Sequence, residues 1–191
     1  WCTEMAMEIT SLGVQVHGGM GFIEETGAAQ HYRDARIAAI YEGTNGIQSA
    51  DLVIRKIRLD RGAAAAALYE DCGNMVKHAS QRADLREAAL RFQTLLATVA
   101  AHTETIVNAD APFALMHSAS CLRALSTTVA SAFLLAAASE AGTGQSADLH
   151  RSIALYFLYT NAAADVARLS ASIEMPSGAV SFETAGTMSS R

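Results

Sequence analysis

The sequence predicts an all-α protein, a helical bundle, and two observations predict it. About a fifth of the 191 residues are Ala, the strongest helix former, while strand-favouring aromatics make up only 6%. Apolar residues recur at three- and four-residue spacing over long stretches, and only 2 Pro interrupt them. The length suits one ordinary domain or two small ones, with enough chain to bury a core without disulfides or metals.

The elements follow in order. Residues 3–16 form a first helix, which Gly18, Gly19 and Gly21 end. Residues 24–40 form a second, acidic at its start as the helix dipole favours. The turn Glu42-Gly43-Thr44-Asn45-Gly46 comes next, and Thr44 or Asn45 caps a third helix over 46–59. Four more helices follow. The first covers 63–79, with Gly73 as a weak point. Asp84 caps the second, which places Leu85, Ala88, Phe92, Leu95, Leu96, Val99 and Ile106 on one face. Asp110-Ala111-Pro112 starts the third, lined by Leu122, Leu125, Val129, Phe133 and Ala136. After the break at 142–148 the last carries Leu149, Ile153, Tyr156, Phe157, Val166, Leu169 and Ile173. Met175-Pro176-Ser177-Gly178 stops it, and 178–191 is expected to be a mobile tail or an arm on a partner.

Composition divides the chain near residue 60 where charge does not. The net charge is −3 over 1–60 and −2 over 61–191, −5 in all. An acidic balance argues against nucleic acid and against a basic hold on anionic lipid. The uncharged run 124–139 is short for a bilayer span, and no basic start with an apolar stretch marks a signal peptide, so a cytoplasmic location is expected. The Cys (Cys2, Cys72, Cys121) are widely spaced and read as reduced thiols. None of the 6 His lies four residues from another, and no metal site is expected.

The unusual chemistry lies in the first part. Glu42, between Tyr41 and Gly43, fits either a solvated loop acid or a general base. Its apolar neighbours Ile37, Ala38, Ala39 and Ile40 would desolvate a base and raise its pKa. The run Gln15-Val16-His17-Gly18-Gly19-Met20-Gly21 fits either a helix C-cap or a loop that offers N–H groups to an anion. It is neither a Walker loop nor a dinucleotide fingerprint. Arg33-Asp34-Ala35-Arg36 fits an ion pair across the helix break or a grip on an anion.

Taken in order, QVHGGMGF, RDAR and YEGT resemble the C-terminal helical domain of the flavin-dependent acyl-CoA dehydrogenases over about residues 3–59. Residues 60–191 are similar in length and pattern to the helical extension of a long-tailed branch, the 3-methylmercaptopropionyl-CoA dehydrogenase type. The expected organisation is therefore 1–59, the end of the dehydrogenase helical domain, and 60–191, a four-helix extension.

The resemblance implies α,β-dehydrogenation of an acyl-CoA in fatty acid β-oxidation. Glu42 would take the α proton, and the β hydrogen would leave as hydride to flavin N5. The N–H of that Glu and a flavin hydroxyl would hold the thioester carbonyl. Gln15, Val16, His17, Gly18 and Gly19 match the segment that meets the adenosine end of an FAD held mainly by a neighbouring subunit. Thr44, Asn45 and Gly46 match the stretch bordering FAD beyond the base, with Gly46 where many relatives carry Gln. Tyr41 and Gly43 would meet the substrate. Electron-transfer flavoprotein is the implied acceptor and a homo-oligomer the implied assembly. The chain starts at Trp1, inside the third domain of such an enzyme, so the chain alone is expected to be inactive and not to hold FAD. The rival reading is a non-catalytic helical assembly module that keeps the motif.

Overall fold

The structure, a computed structural model, describes residues 1–175, and every regular element among them is helical. The expected tail at 178–191 lies outside the described residues. The first part holds α1 (Cys2–His17), the short α2 (Gly19–Phe22), α3 (Ala28–Ala38) and α4 (Asn45–Asp51). The bundle holds α5 (Ala63–Met75), α6 (Lys77–Gln81), α7 (Arg86–Asn108), α8 (Ala111–Met116), α9 (Ser118–Glu140), α10 (Gln145–Phe157) and α11 (Ala163–Ile173).

Several boundaries depart from expectation for local reasons. The second helix starts at Ala28 rather than 24, because Gly27 takes φ +79° and confines Glu24–Thr26 to a single 3₁₀ turn. The helix after Thr44 widens to π geometry over Leu52–Ile57, and α10 joins α11 through a second π stretch, Leu158–Ala162. The expected 63–79 helix breaks at Val76. Asp110 does cap α8, accepting from the Phe113 N–H at 2.9 Å, but His117 separates α8 from α9.

Asp84 does not cap α7; Leu85 stands before the first helical residue. The Asp84 carboxylate instead pairs with both Arg82 and Arg151. Arg82 also donates to the carbonyls of Ala138 and Ser139, satisfying acceptors that the end of α9 leaves open.

The bundle is antiparallel. Tyr69 on α5 meets Thr103 on α7, His78 on α6 meets Glu140 at the end of α9, and His117 before α9 meets Ser172 near the end of α11. At its centre runs α9, which touches α4, α5, α6, α7, α8, α10 and α11. Its buried positions are small: Ser118, Cys121, Ala124, Thr127, Thr128, Ser131, Ala132 and Ala138, with Leu135 the exception. The expected large-residue face of this helix is not the one buried: Leu122, Leu125 and Val129 are half-buried and Phe133 is exposed. A helix wrapped by neighbours puts its small residues at the closest approaches. By length and composition α9 could cross a membrane, yet 44% of its apolar window is buried inside the protein, where it serves as the core helix.

On α7 the expected face holds, with Leu85, Ala88, Phe92, Leu95, Val99 and Ile106 buried and Leu96 half-buried. On α10 it does not: Leu149, Ile153 and Tyr156 are exposed, while Ala147 and Ala154 face the core. Val53 and Ile57, after α4, belong to the same core as Phe92 and Leu135. By contrast α1 and α3 bury no side chain fully, and Ile9, Leu12, Val16, Met20, Phe22, Ile37 and Tyr41 are exposed. Burial pushes the Tyr69 phenol up to about 12 and the Cys121 thiol up to about 11, so both stay neutral core groups at neutral pH.

Phe92 has no exposed surface and sits among α7, α9 and their neighbours, so Phe92→Ala leaves a cavity. It should cost about 3–5 kcal/mol, read as a lower urea midpoint. A pH dependence follows from Asp84. Hydrogen bonds from Arg82 hold its carboxyl below the ordinary value of 3.8 against partial desolvation, and the charges of Arg82 and Arg151 add to this. A depressed folded pKa stabilises above the unfolded value and is lost as pH falls through the folded one. Acid titration followed by denaturant melts should therefore show wild type losing its advantage over Asp84→Asn only in the acid range.

Candidate functional site

The turn between α3 and α4 is built by backbone conformations that its residues dictate. Gly43 adopts φ +96°, and Glu42, which has a Cβ, adopts φ +55°. A left-handed non-glycine residue carries strain of about 1–2 kcal/mol and persists where its surroundings hold it. Here they do. The Glu42 carbonyl accepts from Gln48 Nε2 at 2.8 Å, and the Thr44 hydroxyl caps α4 by accepting from the Ile47 N–H at 3.4 Å. Of the two expected cap residues Thr44 is thus the one used, which frees Asn45. Its Oδ1 accepts from the Thr3 hydroxyl at 2.9 Å, pinning the turn to the start of α1. A Cβ at Gly43 would come within 3.2 Å of Gln48 Nε2, so the glycine also makes room for this lock.

The Glu42 carboxylate is exposed, as are Ile37 and Ile40. Of the apolar residues before it, Ala39 is buried and Ala38 half-buried, while the exposed Ile37 and Ile40 do not cover the carboxylate within this chain. Tyr41 is 56% exposed beside it. Among the described residues the Glu42 N–H has no hydrogen-bond partner.

The glycine-rich segment lies elsewhere. Gly18 takes φ +61° and ends α1, with its N–H on the Gln15 carbonyl at 3.0 Å. Its neighbour His17 places Nδ1 2.8 Å from the Gly13 carbonyl. Gly21 is required by packing: a Cβ there would lie 2.3 Å from the Val14 carbonyl. Gln15, Val16, His17, Gly18 and Gly19 are all exposed. Because α1 and α3 pack side by side, this segment and Glu42 occupy opposite ends of the pair. Twelve residues of helix separate Thr3, which touches Asn45, from Gln15, a rise of ~18 Å. The structure thus joins Tyr41, Glu42, Gly43, Thr44, Asn45 and Gly46 in one place and Gln15 to Gly19 in another, without bringing the two groups together.

Arg33 makes a bidentate pair with Glu24, at 2.8 and 2.5 Å, across the break at Gly27. This is the ion-pair use of the RDAR segment. Arg36 of the same segment borders an open hollow of about 550 Å³ with Glu4, Thr44, Asn45, Gly46 and Arg123. The spacing of the motifs gave no hint of Thr3, Gln48 or Arg123. Gln48 had a local signal, a polar residue one turn into the helix after the cap. Thr3 and Arg123 lie 42 and 78 positions from their places beside Asn45, and no local pattern reaches that far.

Residues 1–57 match the family described as acyl-CoA dehydrogenase, C-terminal domain. The 3-methylmercaptopropionyl-CoA dehydrogenase of Ruegeria pomeroyi is 63% identical over 70 residues, 37% of this chain and 12% of that protein. The butyryl-CoA dehydrogenase of Syntrophomonas wolfei is 32% identical over 127 residues, 62% of this chain and 21% of that protein, so the likeness runs well beyond residue 57. The human mitochondrial short-chain specific acyl-CoA dehydrogenase is 52% identical over 46 residues, 24% of this chain and 11% of that protein. The chain thus spans between about a tenth and a fifth of the length of these relatives. The match thus runs from α1 to the end of the π stretch and takes in the locked YEGT turn, so residues 1–57 are similar to the C-terminal domain of the acyl-CoA dehydrogenases.

Proposed function

We propose that this chain forms part of an FAD-dependent acyl-CoA dehydrogenase that introduces a double bond between the α and β carbons of an acyl-CoA thioester, with Glu42 as the base. The observation that carries the proposal is the Glu42 turn itself: a carboxylate in a left-handed, hydrogen-bonded conformation, exposed, beside its own unpaired N–H. A base and an N–H donor on one residue can act on adjacent atoms of one substrate. The carboxylate takes the α proton while the N–H holds the thioester carbonyl oxygen, where negative charge develops. Gly43 beside it carries no side chain, and the exposed Tyr41 is proposed as an apolar wall for the acyl group. Water exclusion over the carboxylate must come from outside this chain, since Ile37 and Ile40 do not cover it.

FAD is the cofactor of the acyl-CoA dehydrogenases, and bound here it would supply the hydride acceptor for the β hydrogen. The residues proposed to meet it fit that role as margins rather than as an enclosure. Added Cβ atoms at Gly18 and Gly19 would meet nothing within 4 Å, and at Gly46 only the Thr44 hydroxyl at 4.0 Å, so a ligand can reach the main chain at both places. Gln15, Val16, His17, Gly18 and Gly19 are proposed to border the adenosine end of a flavin held mainly by another subunit, and Thr44, Asn45 and Gly46 another part of a flavin. The ~18 Å separation of the two groups suits contact with different parts of the cofactor, or with two cofactors. Electron-transfer flavoprotein as acceptor, a homo-oligomeric assembly, and a division into 1–59 and 60–191 belong to the same proposal. The exposed apolar side chains of α1 and α3 are surface that such an assembly would cover.

Glu42→Gln keeps the shape of the turn and removes the basic carboxylate. In the complete enzyme it should lower the rate of flavin reduction by acyl-CoA at least about a hundredfold while flavin stays bound. Reduction at the wild-type rate would refute the role given to Glu42. The 191-residue chain alone should be colourless and inactive, because its two proposed flavin margins are exposed and far apart. A yellow preparation with stoichiometric FAD, seen by absorbance, would show that these residues enclose the cofactor themselves.

A further inference from the structure

The Glu42 turn is tied into the bundle by residues far away in sequence. Thr3 holds Asn45, as described, and its neighbour Glu4 accepts from Arg123 Nη1 of α9 at 2.7 Å. Arg123 Nε donates to Asp165 Oδ1 of α11 at 3.2 Å. The Asp165 side chain is only 5% exposed, and Arg168 donates to the same oxygen at 2.8 Å. A second tie comes from the same helix: Ser118 Oγ lies 3.4 Å from Ser49 Oγ, on α4 just beyond the turn. Arg123 also borders the hollow formed by Thr44, Asn45 and Gly46.

We infer that Arg123, within the C-terminal bundle, is a positioning residue for the Glu42 turn. The inference rests on the reading of Glu42 as the base. Asp165 is fixed by burial in the bundle, so it gives Arg123 a rigid anchor on one side. The guanidinium reaches two carboxylates on two different elements with separate nitrogens, a task for a planar fork and not for the point charge of a lysine. Glu4 carries the restraint to the first turn of α1, and Thr3 passes it to Asn45, three residues beyond the base. A proton-abstracting carboxylate on an exposed turn loses rate steeply when its placement loosens. The bundle therefore acts on the chemistry through this relay, without touching substrate.

The test uses Arg123→Lys and Glu4→Gln in the flavin-loaded complete enzyme. Each should lower kcat about tenfold with KM held within about twofold, because the placement of the base is disturbed and not the binding of substrate. Each should also raise the isotope effect with α-deuterated acyl-CoA, since proton abstraction becomes more limiting; a role in packing alone would lower folded yield and leave the isotope effect unmoved. Wild-type kcat and isotope effect in both variants overturn the inference. A second measurement needs no turnover. In the 191-residue chain, Glu4→Gln should speed hydrogen exchange of the amides of residues 43–48 about tenfold and leave those of α7 unchanged. Unchanged exchange at the turn overturns the relay whatever Glu42 does. Faster exchange together with a fully active Glu42→Gln enzyme overturns the base and keeps the relay.

Discussion

Everything in this structure is arranged around the burial of α9. A helix that packs against seven others must let their backbones come close, and its run of Ser, Cys, Ala and Thr at the buried positions does that. Two of the buried hydroxyls bond back to carbonyls of their own helix, Thr127 to Arg123 and Ser131 to Thr127, while Thr128 Oγ1 is buried without a partner among the described residues. The larger apolar residues come from the surrounding rods, with Phe92, Val99 and Ile106 from α7 and Leu158 and Leu169 from the last rod. The π stretches at Leu52–Ile57 and Leu158–Ala162 both contact α9 and place Val53, Ile57, Leu158 and Ala162 in the core.

The first part of the chain depends on that core indirectly. Helices α1 and α3 bury no side chain fully, so their own packing holds the Glu42 turn only loosely. Its order comes from the polar ties made to α9 by Ser49 and by Glu4, and from the entry of Val53 and Ile57 into the bundle core. The same turn stores backbone strain at Glu42, and strain of that kind survives only where neighbouring contacts over-determine the conformation.

Part of this was open to reading from the residues alone. Helix content, the end of α1 at Gly18, the cap at Thr44, the start at Asp110 and the buried face of α7 all follow from interactions within a few positions, and local rules capture those. The motifs QVHGGMGF, RDAR and YEGT carried the resemblance on the same footing, and the match over residues 1–57 spans all of them.

What the sequence did not decide is set by neighbours distant along the chain. Side-chain size could not tell which face of α9 or α10 is buried, because that depends on how many rods surround a helix and how near they come. Asp84 had the right position for a cap, but two guanidiniums brought to it by the fold compete for the same carboxylate. The exposure of Glu42 likewise depends on where α3 points Ile37 and Ile40, not on their being next to it in sequence. Residue types and local spacing determined that this chain is helical and that Glu42 stands on a glycine turn. Only the tertiary structure decided that Thr3, Ser118, Arg123 and Asp165 hold that turn, because their contacts close loops of 42 to 119 residues that no local pattern encodes.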